Sequence, residues 1–486
     1  MRYFKLIKYV FLAIVYTKIR RRGFNDFIFR AVSDMGGMYV KLAQFVALRT
    51  SLFPDTDKIR FLSFYDRVPK ENVDLNKTIL RELKRNPLEI FDSIEPEPFA
   101  CGSFAQVYRG VYKGRDVVIK IQKEGLKFKL VIDFFVISVI AKIIDVIYSP
   151  RQANLPQLIK DFKVSTYNEL DYLEECNWAE RFLQAYTEHP SIVIPAVFKE
   201  ICTNRVIVEQ YIDGVSLTSL VAMKARGEDY RKWAQEHLGT DMMQIFWSIV
   251  YQIARDIFQR DFYYADPHPG NILILKDNRY AIIDFGIVGR SPRNKQAYYQ
   301  LIEQSTKRVD EMDLDILSGK MLEFASEDLM CSLVTLNNIY IKENSSLTAQ
   351  VTALFSNILK EKKELLKKCE IGDKEIDMTD FFIELMRMGE KFGLKLPEGM
   401  FVLGRTTQMF KSYMLYLEPN ERFVRKVNER IIAEIDPKQL LEPVNQVHGR
   451  YRKPENALEY ICNWVGNLGD AEESMYYKIR GILGNR

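Results

Sequence analysis

The sequence predicts an α+β protein of two lobes, a small sheet-bearing part and a larger helical part, preceded by a helical extension. Three observations carry that prediction. Residues 1–95, and nearly everything from Ser291 onward, read as helix, with breaks at Pro54, Pro69, Pro397, Pro419 and Pro437. Two β-favouring runs, Ala105–Tyr112 and Asp116–Gln122, flank Lys113-Gly114-Arg115, a hairpin signal. Short strands alternate with turns again over Tyr263–Gly289. The expected division is a helical extension over 1–95, a sheet-bearing lobe over 96–212, a helical lobe over 213–420 and a helical tail over 421–486.

Between these landmarks the pattern is mostly helical. Leu126–Tyr148 is strongly apolar, with Asp133, Lys142 and Asp145 at helical intervals, and reads as a mostly buried helix. Asp161–Tyr186 reads as one long helix and Asp241–Gln259 as an apolar one. Val193–Gln210 has strand character, interrupted at Thr203-Asn204.

Composition narrows the class. The chain has 486 residues, 47% of them hydrophobic, which excludes a mainly disordered protein and suggests two or three domain-sized units. Its six cysteines form no CxxC pair, which points to a reduced, cytoplasmic setting. No Cys/His cluster has zinc-site spacing, so no structural metal is expected.

The net charge of +4 conceals an asymmetry. Met1–Arg30 holds eight basic residues against Asp26, a net +7, leaving −3 on the rest. Tyr9–Thr17 is an apolar run between Lys8 and Lys18 and leads into Arg20-Arg21-Arg22. That is too short to span a bilayer, and the longest charge-free run, Asn344–Leu359, is polar. The N-terminus therefore reads as an interfacial helix with a basic collar, peripheral on an anionic membrane surface. The alternative is a surface helix packed on the protein's own core. Nothing points to a nucleic-acid partner.

Six elements carry chemistry. Ala100, Cys101, Gly102, Ser103, Phe104, Ala105, Gln106 and Val107 lie between two strands, where small residues let backbone N–H groups approach phosphate oxygens. Lys120, on the apolar strand Val117–Ile121, needs a counter-ion and occupies the setting of the phosphate-binding strand lysine of protein kinases. Glu169, Asp171 and Glu175 lie in an acidic segment, and Glu175 is the candidate ion-pair partner of Lys120. Val206–Gly214, with Glu209 and Tyr211, is a strand ending in a polar linker that can offer backbone groups to an adenine ring. Asp266 and Asn271, in Ala265-Asp266-Pro267-His268-Pro269-Gly270-Asn271-Ile272, have the five-residue spacing of the kinase catalytic loop. There an Asp orients or deprotonates a hydroxyl or water and an Asn holds Mg²⁺. Asp284, in Asp284-Phe285-Gly286, can bridge Mg²⁺ to phosphates.

Only Ile287–Arg290 separates Gly286 from Ser291-Pro292, which has the form of a helix start. The long activation segment of protein kinases is missing, so an extended protein substrate has no usual docking platform.

These residues resemble the UbiB/AarF/ADCK family of atypical kinase-like proteins, over roughly Phe27 to Pro419. The loop Ala265–Ile272 is close to the family's ADPHPGNI, and Ala100–Val107 is similar to its alanine-rich nucleotide loop. Glu169-Leu170-Asp171 matches its ExD motif. Gly36–Gln44, followed by Asp66–Pro69, resembles its KxGQ region, and Leu396–Arg405 with Leu417–Pro419 its helical C-terminus. The resemblance implies a bilobal protein-kinase-like fold with a helical extension over the active site. Lys41, Gln44, Glu169 and Asp171 would then converge on the nucleotide. It also implies ATP and Mg²⁺ as cofactors, kinase or ATPase activity, and a supporting role in isoprenoid-quinone or other membrane-lipid metabolism beside quinone-pathway enzymes. Three positions depart from the family: Ala43 replaces a glycine, Gly102 an alanine and Tyr264 a histidine. The rival readings are a small-molecule phosphotransferase of the aminoglycoside or choline kinase type and a nucleotide-gated, non-catalytic scaffold.

Overall fold

A computed structural model describes residues 24–36, 38–49, 75–102, 104–148, 155–292, 295–307, 398–418 and 423–435, with positions 311, 313, 316, 320, 370–371 and 375–376. The expectations for the basic N-terminal helix, Pro54, Asp66–Pro69, Ser103, Leu396-Pro397, Pro419, Pro437 and the tail beyond 435 lie outside these residues. The fold is α+β and kinase-like. The chain divides into two compact units: Met1–Ile245, Asp266–Val288 and Gln408–Pro419 form one, and Phe246–Ala265, Gly289–Thr407 and Asn420–Arg486 the other.

In the first unit, strands β1 (Ser93–Ile94), β2 (Ala100–Cys101), β3 (Ala105–Tyr112) and β4 (Arg115–Gln122) precede β5 (Ile192–Val193) and β6 (Val206–Gln210). An antiparallel sheet runs β1-β3-β4-β6, with β2 also paired to β3. The β3–β4 hairpin turns through Lys113 (φ 49°) and Gly114 (φ 70°), the left-handed pair that matches the twist of the strands. One sheet face carries Tyr108, Tyr112, Val117, Ile119, Ile121 and Val208. It is buried against helices Leu75–Leu83 and Pro87–Ile90. On the other face Lys120 stands in register between Val107 and Ile207.

A second sheet takes β7 (Val215–Ser216), β9 (Ile272–Ile274) and β10 (Tyr280–Ile282) in the order β5-β10-β9-β7, and β8 (Phe262–Tyr264) lies outside it. The β9–β10 hairpin turns through Asp277 and Asn278, both at positive φ.

Leu126–Tyr148 is the helix its pattern predicts. Asp161–Tyr186 is not one helix but two, Leu155–Asn168 and Tyr172–Tyr186. Asp171 makes the break: its carboxylate caps the second helix, accepting the Glu174 N–H at 3.2 Å. Helices Met38–Arg49, Leu126–Tyr148 and Leu155–Asn168 share a core of Met38, Tyr39, Leu130, Phe134 and Phe162, closed by Phe104. The buried Asp133 there accepts the Tyr39 hydroxyl at 3.2 Å. Helix Glu398–Leu417 ends at the buried Glu418, which accepts the Arg231 Nε–H at 2.7 Å and pairs with Tyr230.

In the second unit, helix Lys295–Thr306 meets helix Phe423–Glu434, where the Tyr299 hydroxyl reaches the Ile432 carbonyl at 3.3 Å. Ser291 and Pro292 precede that first helix rather than opening it, and the Ser291 N–H donates to the Asp261 carbonyl at 3.0 Å. Glu370–Ile371 and Glu375–Ile376 pair as two short antiparallel strands in a region the sequence reads as helical. Among the described residues no helix is long and apolar enough to cross a membrane.

Candidate active site

All the described candidate residues fall in the first unit. Lys120 is their hub. Its ammonium lies 2.7 Å from Glu175 Oε1 and 2.9 Å from Asp284 Oδ2, and 5.3 Å from the centre of the Tyr172 ring. Glu175 sits in the first turn of helix Tyr172–Tyr186. Two turns on, Phe182 packs on Phe285 with ring centroids 5.0 Å apart. Asp284-Phe285-Gly286 is thereby fastened to the helix that supplies the counter-ion. The seven-residue spacing from Glu175 to Phe182 is the signal in the sequence that marks this contact.

Burial and pairing compete over this cluster. Burial pushes the Glu175 carboxyl up to about 7, against the pull of Lys120. Burial also raises Asp284, but Lys120, the Gly286 N–H and Lys41 outweigh it and hold the group below its ordinary value. Burial opposes the charged form of Lys120, and the two carboxylates override it and raise the lysine.

Lys41 forms an ion pair with Glu169 and lies 4.6 Å above the Phe104 ring. A Cβ built on Gly286 would meet Asp284 Oδ1 at 3.3 Å, and both Glu169 Cγ and Glu175 Oε2 at 3.9 Å. The structure therefore brings Lys41, Glu169, Glu175, Lys120 and Asp284 together. Asp171, expected to converge with them, is exposed and spends its carboxylate on its own helix. Ala43 is buried, and the Gln44 side chain lies outside the described residues.

The candidate nucleotide loop is closed by its own chain. Ala100 and Cys101 pair with Val107 and Gln106, and the Gly102 N–H donates to the Ala105 carbonyl at 2.9 Å. Ala105 is buried. Gln106 is fully buried, with its amide on Cys101 Sγ at 3.7 Å and its oxygen accepting the Tyr108 hydroxyl. Gln106 and Phe104 are therefore anchors of the loop.

In the loop after β8, the Asn271 side-chain N–H donates to Asp266 Oδ2 at 2.9 Å, which leaves the amide oxygen for other work. His268 is buried, its Nδ1 accepting the Gly270 N–H at 3.0 Å. The Ile283 N–H donates to the Asn271 carbonyl at 3.1 Å, which ties this loop to the residue before Asp284.

In the linker, Glu209 pairs with Val118 on the same sheet face as Lys120. Burial pushes its carboxyl up, against Lys120. The Tyr211 N–H is bonded to the Asp116 carbonyl at 3.0 Å, so Tyr211 offers its ring rather than its amide. That ring lies 4.1 Å from the Arg109 guanidinium. Gly214 sits tightly against β9, where a Cβ would fall 2.6 Å from Leu275 Cδ2 and 3.0 Å from Leu273 Cβ, so a larger residue must displace those side chains.

The donor set suits a hard cation. Among the described residues no group of three or more His, Cys, Asp or Glu could hold a metal alone. Asn271 and Asp284 offer an amide and a carboxylate oxygen, and Mg²⁺ is commonly held by one or two such groups plus phosphate oxygens.

Comparison with known proteins places the chain in a family. A family model described as the ABC1 atypical kinase-like domain matches residues 63–314, more than half of the chain. An uncharacterised chloroplastic aarF domain-containing protein kinase of Arabidopsis thaliana is 28% identical over 407 residues, 79% of this chain and 70% of the relative. The chloroplastic Activity of BC1 Complex Kinase 3 of the same plant is 27% identical over 266 residues, 54% of this chain and only 36% of that relative's length. A probable protein kinase UbiB of Shewanella baltica is 24% identical over 471 residues, 93% of this chain and 75% of the relative. The matched span holds the strand lysine, its two carboxylate partners and the Asp266–Asn271 loop, and the chain belongs to the ABC1 atypical kinase-like family, the UbiB/AarF/ADCK group.

Proposed function

We propose that the protein is an Mg-ATP-dependent phosphotransferase or ATPase of the UbiB type whose acceptor is not an extended polypeptide. The observation that carries this reading is Lys120 held at 2.7 and 2.9 Å between Glu175 and Asp284. Bound Mg-ATP supplies a transferable phosphoryl group. Lys120, oriented by Glu175, positions the α/β-phosphates. Asn271 and Asp284 hold the cation through their side-chain oxygens. Asp266, fixed by Asn271, orients an acceptor hydroxyl or water. Ala100–Val107, Glu209 and Tyr211 border the nucleotide. Preorganised positioning of this kind is the main source of rate in phosphoryl transfer.

The choice of acceptor rests on chain connectivity. Helix Lys295–Thr306 begins shortly after Gly286, so no long segment intervenes to seat a peptide. The name UbiB carried by several relatives favours a role in isoprenoid-quinone metabolism. Work at an anionic membrane rests on the basic Met1–Arg30 segment, and quinone-pathway enzymes as partners rest on the sequence resemblance alone.

The test is Mg-ATP binding and turnover in three proteins. Asp266→Ala should bind nucleotide as the unsubstituted chain does and lose at least about a hundredfold in turnover. Asp284→Asn should lose Mg²⁺-dependent binding. Turnover unchanged in both variants overturns the assignment.

A further inference from the structure

Helix Leu126–Tyr148 is apolar on two opposite sides. Its inner side, through Leu126, Leu130, Phe134 and Ile137, is buried in the core that holds Phe104. Its outer side presents Phe128, Val131, Phe135 and Val139, spaced by three or four residues and so aligned on one face. Phe128 and Phe135 are 72% and 69% exposed. A single exposed apolar side chain is ordinary, but a helical stripe of them is the mark of an interaction surface.

The charge around the stripe says what covers it. By helical spacing Lys127 and Lys129 fall on opposite flanks, and both are exposed. Lys160 and Lys163 are exposed on the adjoining helix Leu155–Asn168. Of the helix's two carboxylates, Asp133 is buried and Asp145 stands beyond the stripe, toward the C-terminal end. Self-association through this face gains nothing from these lysines, whereas anionic headgroups pair with them directly. An apolar face between lysine flanks is the pattern of a helix lying in a lipid interface.

We propose that the Phe128–Val139 stripe docks this protein on an anionic phospholipid bilayer. Its aromatic and branched side chains enter the acyl boundary and its lysines meet the headgroups. This names the surface for the lipid contact proposed above and rests on that part of the reading, but on none of the nucleotide chemistry.

The experiment uses the full chain carrying Phe135→Trp, with vesicles of phosphatidylcholine alone or mixed with phosphatidylglycerol. Some of each preparation contains brominated acyl chains, which quench an indole at their depth. The expected result is sedimentation with the anionic vesicles and quenching beyond that of the native tryptophans. A folded Phe128→Asp/Val139→Asp variant should partition about tenfold or more weakly. Lys127→Glu/Lys129→Glu should lose the preference for anionic lipid. Binding without added quenching overturns the proposal, because another part of the chain then holds the lipid. So does an absence of vesicle binding, or a stripe already shielded in vesicle-free solution by self-association. Loss of ATP turnover in any of these proteins bears on the catalytic reading and leaves the quenching result intact.

Discussion

The ammonium of Lys41 lies 4.6 Å above the ring of Phe104 and pairs at the same time with Glu169. Three segments far apart in sequence meet there: the extension helix Met38–Arg49, the nucleotide loop and the turn before helix Tyr172–Tyr186. Phe104 is also buried among the side chains of three helices. The loop is therefore gripped from outside the sheet as well as by its own hairpin.

That grip predicts the behaviour of Lys41→Met, which keeps the bulk over Phe104 and removes the charge. Glu169 then stands half-buried without its cation. Stability should fall by about 1–3 kcal/mol, the usual cost of orphaning such a group. Hydrogen exchange at the Ala100–Val107 amides should quicken. Unchanged exchange there would show that the loop holds itself.

Much of this fold is legible in the sequence, and the exceptions have physical causes. Lys113-Gly114 and Asp277-Asn278 announce their hairpins because few residues tolerate positive φ. Leu126–Tyr148 announces its helix through sheer apolarity. Lys120 announces a need for a counter-ion, since a charge on an apolar strand is costly. The break at Asp171 is hidden, because a capping aspartate looks like one more acid in an acidic helix. The contact of Phe104 with Lys41 is hidden too, since it depends on helices packing across some sixty residues of chain, and no local pattern encodes that.

The Lys120 cluster predicts a pH signature. The Glu175 carboxyl titrates at about 7 in the folded chain, against an ordinary 4.5. Between those values the folded state holds the extra proton, so this group's contribution to stability falls as pH rises from 4.5 to 7. Asp284 acts in the opposite sense: its depressed value gives stability above the ordinary carboxylate range, lost as pH falls through the folded value. Glu175→Gln should remove the first slope and keep the second. The measurement is the urea midpoint followed from about pH 2 to 8, so that both slopes fall inside the range. Parallel curves for the two proteins would exclude Glu175 as the source.

Gly286 predicts a separation of binding from folding. A methyl group there sits 3.3 Å from Asp284 Oδ1, whose partner is the Gly286 N–H at 3.0 Å. The backbone tolerates alanine, so the carboxylate gives way. Gly286→Ala should weaken Mg-ATP binding about tenfold, roughly 1.4 kcal/mol, while thermal unfolding barely moves. Calorimetric titration and a melting curve check both halves. Full affinity in this variant would mean that the orientation of Asp284 does not matter to the cation.

Two other glycines predict opposite effects of the same substitution. A Cβ on Gly289 would fall 2.1 Å from Cζ of the Tyr263 ring, which is buried and has little room to move. Gly289→Ala therefore overpacks a closed site and should cost about 3 kcal/mol or more. At Gly102 the nearest atom to a new Cβ is the Ala105 carbonyl oxygen, 3.8 Å away, and φ lies outside the left-handed region. Gly102→Ala should leave stability unchanged or raise it by about 0.4–1 kcal/mol, since alanine restricts the unfolded chain. Thermal melts of the two variants beside the unsubstituted protein decide the matter. A destabilised Gly102→Ala would show that the loop visits conformations only glycine reaches, and that the closed turn at Ala105 is one state among several.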